Sequence, residues 1–353
     1  MIETMKAAVL REIGAPLQIE ELEIPTPQYG EVLIKVRACG VCHSDLHAVQ
    51  GDWADKPNLP LIPGHEVTGH IASCGPGVSH FTVGDAVGVP WMYSACGTCE
   101  FCLAGMETIC PSAESTGYSK PGGYAEYMIE PAAFVARVPE DADLYALAPI
   151  LCAGVTTYRG IKRSGAQPGQ WIAIIGVGGL GHVAVQYAVA MGLRVAAVDV
   201  DPGKLALARE HGAEVTVDAR QGAVESLREQ VPGGVHAALV TAVATQAFEQ
   251  SIGMLRPGGT TVFVGLPGGE ADTIRASISA IAGWELSIRG SSVGTRQDLD
   301  EAIAFAARGK VQANITRAEL DDINQLLEAM HKGSLIGRHV LAMDSAETLI
   351  GPA

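Results

Sequence analysis

Runs of apolar residues divide the chain into two stretches of different character. In the first 150 residues these runs are short and are separated by glycine and proline, as at 32–36 and 124–128. Such runs predict strands joined by turns and long loops. We therefore expect a β-rich domain in this part of the chain.

From residue 171 onward, runs of strand length alternate with runs of helix length. Strands are predicted at 171–175 and 195–198, and helices at 180–191 and 202–211. This alternation predicts a parallel, doubly wound sheet. After residue 290 the pattern becomes helical. The other predicted strands cover residues 215–217, 238–240, 261–264, 286–290 and, near the end of the chain, 339–343.

A glycine-rich turn joins the strand at 171–175 to its helix. Gly176, Gly178, Gly179, Leu180 and Gly181 stand in the pattern G-x-G-x-x-G. Glycines let the backbone approach a pyrophosphate, and the helix N-terminus supplies N–H donors. The alternative is an ordinary glycine-rich turn, but the strand before and the helix after it favour a dinucleotide site.

Asp199 ends the next predicted strand, where a carboxylate can accept hydrogen bonds from the adenosine ribose. A carboxylate there would repel a 2′-phosphate. Asp201 adds to this repulsion, and no arginine occurs from 195 to 208. The sequence therefore predicts NAD rather than NADP.

Four of the eight cysteines lie within fifteen residues, in the spacing C-x2-C-x2-C-x7-C. Four thiolates suit a closed, tetrahedral zinc site of the structural kind. A redox pair or buried free thiols are the alternatives, which the tight clustering disfavours. The four candidate ligands are Cys96, Cys99, Cys102 and Cys110.

The charge of the chain argues against nucleic acid and anionic membranes as partners. The formal net charge is −15, and residues 91–119 around the cysteines contain glutamate but no lysine or arginine. A zinc module that binds phosphates would need the opposite sign. The N-terminus lacks a signal pattern, and the most apolar run, 183–198, is interrupted by polar residues. We expect a cytoplasmic protein.

Three dispersed segments carry further candidate ligands: Cys42 to His47, Gly64-His65-Glu66, and Cys152-Ala153-Gly154. Their spacing alone does not join them. Taken singly, each is compatible with a buried cysteine or a capped histidine.

Together with the other motifs, these segments resemble the zinc-dependent medium-chain dehydrogenase/reductase family, and most closely its bacterial and yeast-type alcohol dehydrogenases. The resemblance covers essentially the whole chain. It implies reversible hydride transfer between a small primary alcohol and NAD, two zinc ions per subunit and a homotetramer. It rests on residues 40–47, 64–66, the four cysteines, 178–181 with Asp199, 264–267 and 337–338.

The resemblance also implies the domain organisation. A GroES-like β-rich catalytic domain spans 1–152, a Rossmann NAD-binding domain spans 153–291, and a return segment at 292–353 completes the catalytic domain. The active site is expected in the cleft between them. A zinc-free relative of the quinone reductase or crystallin type would lack Cys42, His65 and the four clustered cysteines, and all of these are present.

By the same resemblance, Cys42, His65 and Cys152 bind the catalytic zinc. Glu66 corresponds to a nearby carboxylate that can approach the metal. Asp45 corresponds to the acid that orients His65.

Ser44 and His47 resemble a relay that carries the alcohol proton to solvent, a task for which imidazole is suited near neutral pH. Cys39 and Cys74 are expected to be packing residues. Trp53 and Trp91 stand where the yeast-type relatives place tryptophans that line the substrate pocket.

Further positions match cofactor contacts of the family. His43 and Arg338 resemble pyrophosphate contacts, and Lys204 resembles a contact to the adenosine ribose. The positions expected near the nicotinamide are Thr156, Val264, Leu266, Ser291 and Val293.

Overall fold

A computed structural model describes residues 3–267, 272–335 and 337–343. The chain divides into two units. The first comprises the chain up to Cys152, Thr295–Ile303 and the segment that begins at Ala313. The second comprises Ala153–Gly294 and Ala304–Gln312. The end of the predicted return segment, 344–353, lies outside the described residues.

The N-terminal part of the first unit is rich in strands, as the short apolar runs predict. Its helices are α1 (His43–Gln50), α2 (Glu100–Leu103) and α3 (Leu144–Leu147), with 3-10 turns at Glu107–Ile109, Ala132–Phe134 and Ala148–Leu151. Its strands are β1 (Thr4–Val9), β2 (Gln18–Glu23), β3 (Glu31–Val41), β4 (Val67–Cys74), β5 (Ala86–Val89), β6 (Met92–Ser94), β7 (Glu114–Ser115), β8 (Tyr127–Pro131) and β9 (Ala136–Arg137).

The second unit alternates strands and helices. Its strands are β10 (Trp171–Ile175), β11 (Arg194–Asp199), β12 (Val215–Asp218), β13 (Val235–Val240), β14 (Leu255–Phe263) and β15 (Ser287–Gly290). Its helices are α4 (Ala153–Ser164), α5 (Gly181–Ala190), α6 (Pro202–Glu210), α7 (Ala223–Gln230), α8 (Thr245–Met254) and α9 (Ile278–Gly283). The chain then continues through α10 (Arg296–Ala307), β16 (Ile315–Glu319), a 3-10 turn at Leu320–Asp322, α11 (Ile323–His331) and β17 (Arg338–Ala342).

The long strand β3 organises the first unit. The sheet order is β16-β17-β3-β4-β5-β9, and β8 also pairs with β3. Fully buried side chains such as Ile34, Leu61 and Tyr124 form the core beneath it. Because β3 ends at Val41, the next residue, Cys42, leaves the sheet directly from this core.

The sheet of the second unit has the order β12-β11-β10-β13-β14-β15, and every pair in it is parallel. Its central strands are buried on both faces, as expected when helices cover a parallel sheet. The predicted α/β fold with a Rossmann sheet is confirmed. The glycine-rich turn follows β10, beside the point where the strand order reverses.

One predicted strand is wrong at its start. Residues 124–126 are not in β8, which begins at Tyr127. Just before β8, the backbone pairs with the segment at 63–64 instead. The N–H of Gly123 donates to the Gly64 carbonyl at 2.9 Å, and the N–H of Tyr124 donates to the Pro63 carbonyl at 2.9 Å. Alternation of side chains does not reveal such loop contacts.

Among the described residues, no single helix has the length and apolar character needed to cross a membrane. One bent pair, Leu144–Leu151 with Ala153–Ser164, passes the test of length and composition.

Candidate functional site

Cys42 lies at the junction of β3 and α1. It has an extended backbone and occupies the N-cap position of α1, and its N–H donates to Asp45 Oδ2 at 2.9 Å. A carboxylate in the first helical turn is favourable for the helix dipole. The turn therefore holds the Cys42 thiol in a defined place.

Four potential ligands converge in the first unit: Cys42, His65, Glu66 and Cys152. One donor atom from each lies within 4.8 Å of the others, and all four residues are buried. The Sγ atoms of Cys42 and Cys152 are 4.0 Å apart, and His65 Nε2 is 3.3 Å from Cys152 Sγ. The structure thus brings together ligands that sequence spacing leaves apart.

Asp45 holds the imidazole of His65 in this cluster. Its Oδ1 is 2.8 Å from His65 Nδ1 and accepts the Gly64 N–H at 3.2 Å. Its Oδ2 accepts the Tyr124 hydroxyl at 2.8 Å as well as the N–H of Cys42. With Nδ1 of His65 committed to Asp45, Nε2 is the nitrogen directed toward the thiols.

Glu66 forms a buried ion pair with Arg338, whose Nη2 donates to Glu66 Oε1. Burial raises the pKa of the Glu66 carboxyl to about 7, and the charge of Arg338 opposes this rise. Glu66 Oε2 and Arg338 Nε have no hydrogen-bond partner among the described residues. Arg338, predicted to contact a pyrophosphate, thus contacts a candidate metal ligand here.

Ser44 and His47 lie three positions apart on α1 and therefore share one face of the helix. Nδ1 of His47 is 2.7 Å from Asp52 Oδ2. When Nδ1 carries the proton, Nε2 is free to accept one. Asp52 is therefore the hydrogen-bond partner of His47 in the described structure.

An aromatic cluster begins at His65. The Trp91 ring packs edge-on against the His65 ring, with centroids 4.8 Å apart. The ring centroid of Trp53 lies 5.8 Å from that of Trp91 and 5.5 Å from that of His47. The third aromatic residue, Tyr118, lies 5.1 Å from Trp53 and 5.8 Å from Trp91.

The four cysteines at 96–110 form a second cluster, with one sulfur from each within 4.8 Å of the others. Backbone N–H groups donate to these sulfurs, as from Cys99 to Cys96 Sγ at 3.3 Å and from Cys102 to Cys99 Sγ at 3.5 Å. Backbone hydrogen bonds from Thr98 and Cys99 lower the pKa of the Cys96 thiol to about 6. These donors favour the thiolate of Cys96, the form that binds a metal, whereas burial and hydrogen bonding to the neighbouring cysteines raise the pKa of the Cys102 thiol.

The glycine-rich turn of the second unit is closely packed. Gly176 has φ of +91°, and a β-carbon at Gly181 would overlap the Gly176 carbonyl oxygen. Thr241 donates its hydroxyl hydrogen to the same carbonyl. Gly178 has open space around the position of an added β-carbon. A ligand can therefore approach the backbone at this turn.

Asp199 connects the turn to β11. Its Oδ2 accepts the Val177 N–H at 2.6 Å, and its Oδ1 accepts the Asp201 N–H at 2.9 Å. Each carboxylate oxygen keeps a further lone pair for a hydroxyl donor. Asp201 in turn caps α6 by accepting the N–H groups of Gly203 and Lys204.

The remaining predicted cofactor contacts have different surroundings. Thr156 and Val264 are buried, whereas Lys204 and Leu266 are exposed. These four residues, together with Ser291 and Val293, belong to the second unit, while His43 and Arg338 belong to the first. Ser291 Oγ has no hydrogen-bond partner among the described residues, and Val293 has a positive φ of 40°.

Sequence reasoning missed four residues of these sites: Tyr124, Asp52, Tyr118 and Thr241. Asp52 follows His47 by five residues, so the spacing offered a weak signal. The other three act on distant segments through a hydroxyl group, which no local pattern reveals.

Comparisons with known proteins cover nearly the whole chain. The family description "Alcohol dehydrogenase GroES-like domain" matches residues 28–140, and "Zinc-binding dehydrogenase" matches residues 179–308. An alcohol dehydrogenase of Moraxella sp. (strain TAE123) is 53% identical over 338 residues, which are 96% of this chain and 99% of that protein.

Two solved structures are similar in fold. The alcohol dehydrogenase of the archaeon Aeropyrum pernix has a TM-score of 0.87 at 36% identity, and the match covers 96% of this chain and 99% of that one. The acetophenone reductase of Geotrichum candidum, solved in complex with NAD, has a TM-score of 0.85 at 28% identity, with 97% and 98% coverage.

Proposed function

The chain belongs to the zinc-binding alcohol dehydrogenases of the medium-chain dehydrogenase/reductase family, and we propose that its substrate is a small primary alcohol, which it oxidises reversibly to the aldehyde with NAD. The observation that carries the proposal is the buried cluster of Cys42, His65, Glu66 and Cys152. The aromatic side chains of Trp91 and Trp53 next to His65 favour a short alkyl chain over a branched one.

The donor set of this cluster fits a catalytic zinc. Two thiols and one imidazole are the ligand types that zinc prefers. With Glu66 paired to Arg338, these three ligands would leave a fourth position for substrate. The separations of 4.0 Å and 3.3 Å between donor atoms resemble the roughly 3.5 Å expected between ligands about 2.0–2.3 Å from one tetrahedral ion. Zinc held by Cys42, His65 and Cys152 would supply a Lewis acid at the alcohol oxygen.

The protein's own residues provide positioning and a proton path. Asp45 fixes the His65 ring, and Ser44 and His47 share the face of α1 over which a proton can leave. Asp52 keeps Nδ1 of His47 engaged, so that Nε2 can accept the proton. The carboxylate of Asp199 favours a ribose hydroxyl over a 2′-phosphate, which supports NAD as the cofactor.

We propose a second zinc per subunit, at the four-cysteine cluster. Four sulfurs within 4.8 Å and the backbone N–H donors to them support a closed structural site. The cluster spans a segment with little regular structure, so a metal there would fix a loop that the described helices and strands do not hold.

A homotetramer in the cytoplasm, with no nucleic acid or membrane partner, is also part of the proposal. The edge strand β15 and the exposed apolar side chains Ile278, Trp284 and Ile288 support association of the second unit with another copy. The net charge of −15 supports the absence of anionic partners. Light scattering coupled to size exclusion measures the assembly directly.

Metal analysis combined with NADH production from ethanol tests the proposed activity. We expect two zinc ions per chain and ethanol-dependent reduction of NAD. Cys42→Ser should lose one zinc and the activity, whereas the matched control Cys74→Ser, which lies outside both clusters, should keep both. A wild-type protein that holds zinc but oxidises no alcohol, or that prefers secondary alcohols, would overturn the proposal.

A further inference from the structure

A tight turn at 115–120 presents Tyr118 to the aromatic cluster. The N–H of Gly117 donates to the Lys120 carbonyl at 2.9 Å, and the N–H of Ser115 donates to Ser119 Oγ at 2.7 Å. These bonds close the turn on itself. Tyr118 therefore extends from a fixed turn rather than from a free loop.

The base of this turn is fixed to the backbone around the metal cluster. The N–H of Thr116 donates to the Trp91 carbonyl at 2.9 Å. A β-carbon at Gly117 would lie 2.8 Å from both the nitrogen and the oxygen of Gly64, the residue before His65. Because real β-carbons do not approach that closely, the turn packs directly against the Gly64 backbone, one residue before His65.

The Tyr118 ring completes a wall of three aromatic side chains. Trp91 contacts the His65 ring, Trp53 contacts Trp91 edge-on, and Tyr118 contacts both indoles. Rings in such contact stabilise one another beyond the effect of the area they bury. The positions of the two tryptophans are thus coupled through Tyr118.

The Tyr118 hydroxyl also holds the loop at 51–58. It donates to the Asp55 carbonyl, on the loop that carries Trp53. The same loop carries Asp52, the partner of His47. One hydroxyl therefore ties the loop that bears one pocket tryptophan and the relay carboxylate to the fixed turn that bears Tyr118.

We propose that Tyr118 is the positioning residue that sets the substrate size of this dehydrogenase. Its ring is the third side of the alcohol slot, and its hydroxyl holds the 51–58 loop so that Trp53 stays against Trp91. The proposal rests on the proposed function, since it names a determinant of selectivity for the same alcohol site. It places specificity in a residue whose ring contacts and hydroxyl hydrogen bond, in the part of the chain that the structure describes, are to Trp53, Trp91 and Asp55 and not to the candidate zinc ligands.

Two substitutions separate the ring from the hydroxyl in the zinc-loaded enzyme. Tyr118→Phe keeps the ring and loses the bond to Asp55, so the KM for ethanol should rise about 2- to 10-fold, the loss expected for one hydrogen bond, while kcat stays within about twofold. Tyr118→Leu opens the slot, so the ratio of kcat/KM for benzyl alcohol to that for ethanol should rise about 10-fold or more.

Tyr29→Phe is the matched control, because Tyr29 is 83% exposed and lies outside the aromatic cluster. It should leave both the KM and the ratio unchanged. A purely structural role of Tyr118 would lower kcat/KM for both alcohols in proportion and lower the unfolding temperature, and that result would overturn the proposal. If Tyr118→Leu does not fold, Tyr118→Trp, which narrows the slot, must lower the benzyl alcohol to ethanol ratio. A wild-type enzyme inactive on every alcohol would refute the proposed function instead.

Discussion

Gly40 lies so close to Glu66 that a β-carbon at residue 40 would overlap the Glu66 carboxylate and come within 3.0 Å of the Glu66 β-carbon. Glu66 is fully buried and paired with Arg338, so its side chain has little freedom to move away. Glycine is therefore required at position 40 because of packing against the candidate ligand Glu66, and not because the backbone there has a positive φ.

We expect Gly40→Ala to lower the free energy of unfolding by about 1–3 kcal/mol, the usual cost of overpacking a core. Urea denaturation measures this. Gly283→Ala is the control, because an added β-carbon there meets no atom within 4 Å. Equal stability of Gly40→Ala and wild type would show that the Glu66 side chain is not held where the structure places it.

Asp199 should determine the cofactor preference. Asp199→Ala removes a carboxylate that can accept hydrogen bonds from the ribose, so kcat/KM for NAD should fall about 10- to 100-fold, the cost of losing charged hydrogen bonds. The efficiency with NADP should change little, because the repulsion of a 2′-phosphate disappears too. Steady-state kinetics with both cofactors check this, and an unchanged NAD to NADP ratio would contradict the assignment. Asp218→Ala is a suitable control, since its carboxylate is engaged by Arg220 at the surface.

The parts of the structure that the sequence predicts are those encoded by local spacing. Strand β10 covers the predicted residues 171–175, and the glycine-rich turn and Asp199 follow in the expected order. These features are predictable because the spacing of apolar residues and of glycines is a pattern among neighbouring residues. The four-cysteine cluster is of the same kind, since Cys96 and Cys110 are fourteen residues apart.

The contacts that sequence reasoning does not predict join residues far apart in the chain. Arg338 meets Glu66 across 272 positions, and Tyr118 meets Asp55 across 63. Both contacts depend on where β17 and the 115–120 turn lie after folding. Family resemblance implies a phosphate contact at Arg338, which stays a prediction. In the described structure Arg338 meets Glu66, since β17 pairs with β3 and the next strand, β4, begins directly after Glu66.

The segment that carries the four cysteines, residues 96–110 (the cysteine lobe), contacts the rest of the first unit through Glu107, which pairs with Arg296. Glu107 accepts hydrogen bonds from the Arg296 backbone N–H at 2.8 Å and from Nη2 at 2.8 Å, and the guanidinium lies 4.6 Å from the Phe134 ring centroid. We expect Glu107→Gln to lower the free energy of unfolding by about 1–3 kcal/mol, since a largely buried acceptor loses its charge.

The exposed pair of Arg194 and Glu214 offers a control for that change. Glu214→Gln should cost less than about 1 kcal/mol, as for other solvent-exposed ion pairs. Zinc release on heating should occur earlier in Glu107→Gln than in Glu214→Gln. If the two variants unfold and release zinc alike, the Glu107–Arg296 contact does not stabilise the lobe.

Glu130 should make the stability of the protein fall as pH rises. Its side chain is fully buried, and the Thr116 hydroxyl, 3.3 Å and 3.5 Å from its two oxygens, is its hydrogen-bond partner in the described structure. Burial raises the pKa of this carboxyl well above its usual value. Below the unfolded pKa of about 4.3 both states hold the proton. Above that pH the unfolded chain releases its proton while the folded protein keeps it, so the free energy of unfolding falls by up to about 1.4 kcal/mol per pH unit until the folded pKa is reached.

Glu130→Gln keeps the shape of the side chain and carries no titrating proton, so it should remove this slope. The variant should therefore gain stability relative to wild type when urea unfolding is measured at pH 8 rather than at pH 5. The exposed Glu140 provides the control, and Glu140→Gln should follow the wild-type pH dependence. Parallel curves for Glu130→Gln and wild type would mean that Glu130 releases its proton at the same pH in the folded and unfolded states, which its burial beside a single hydroxyl argues against.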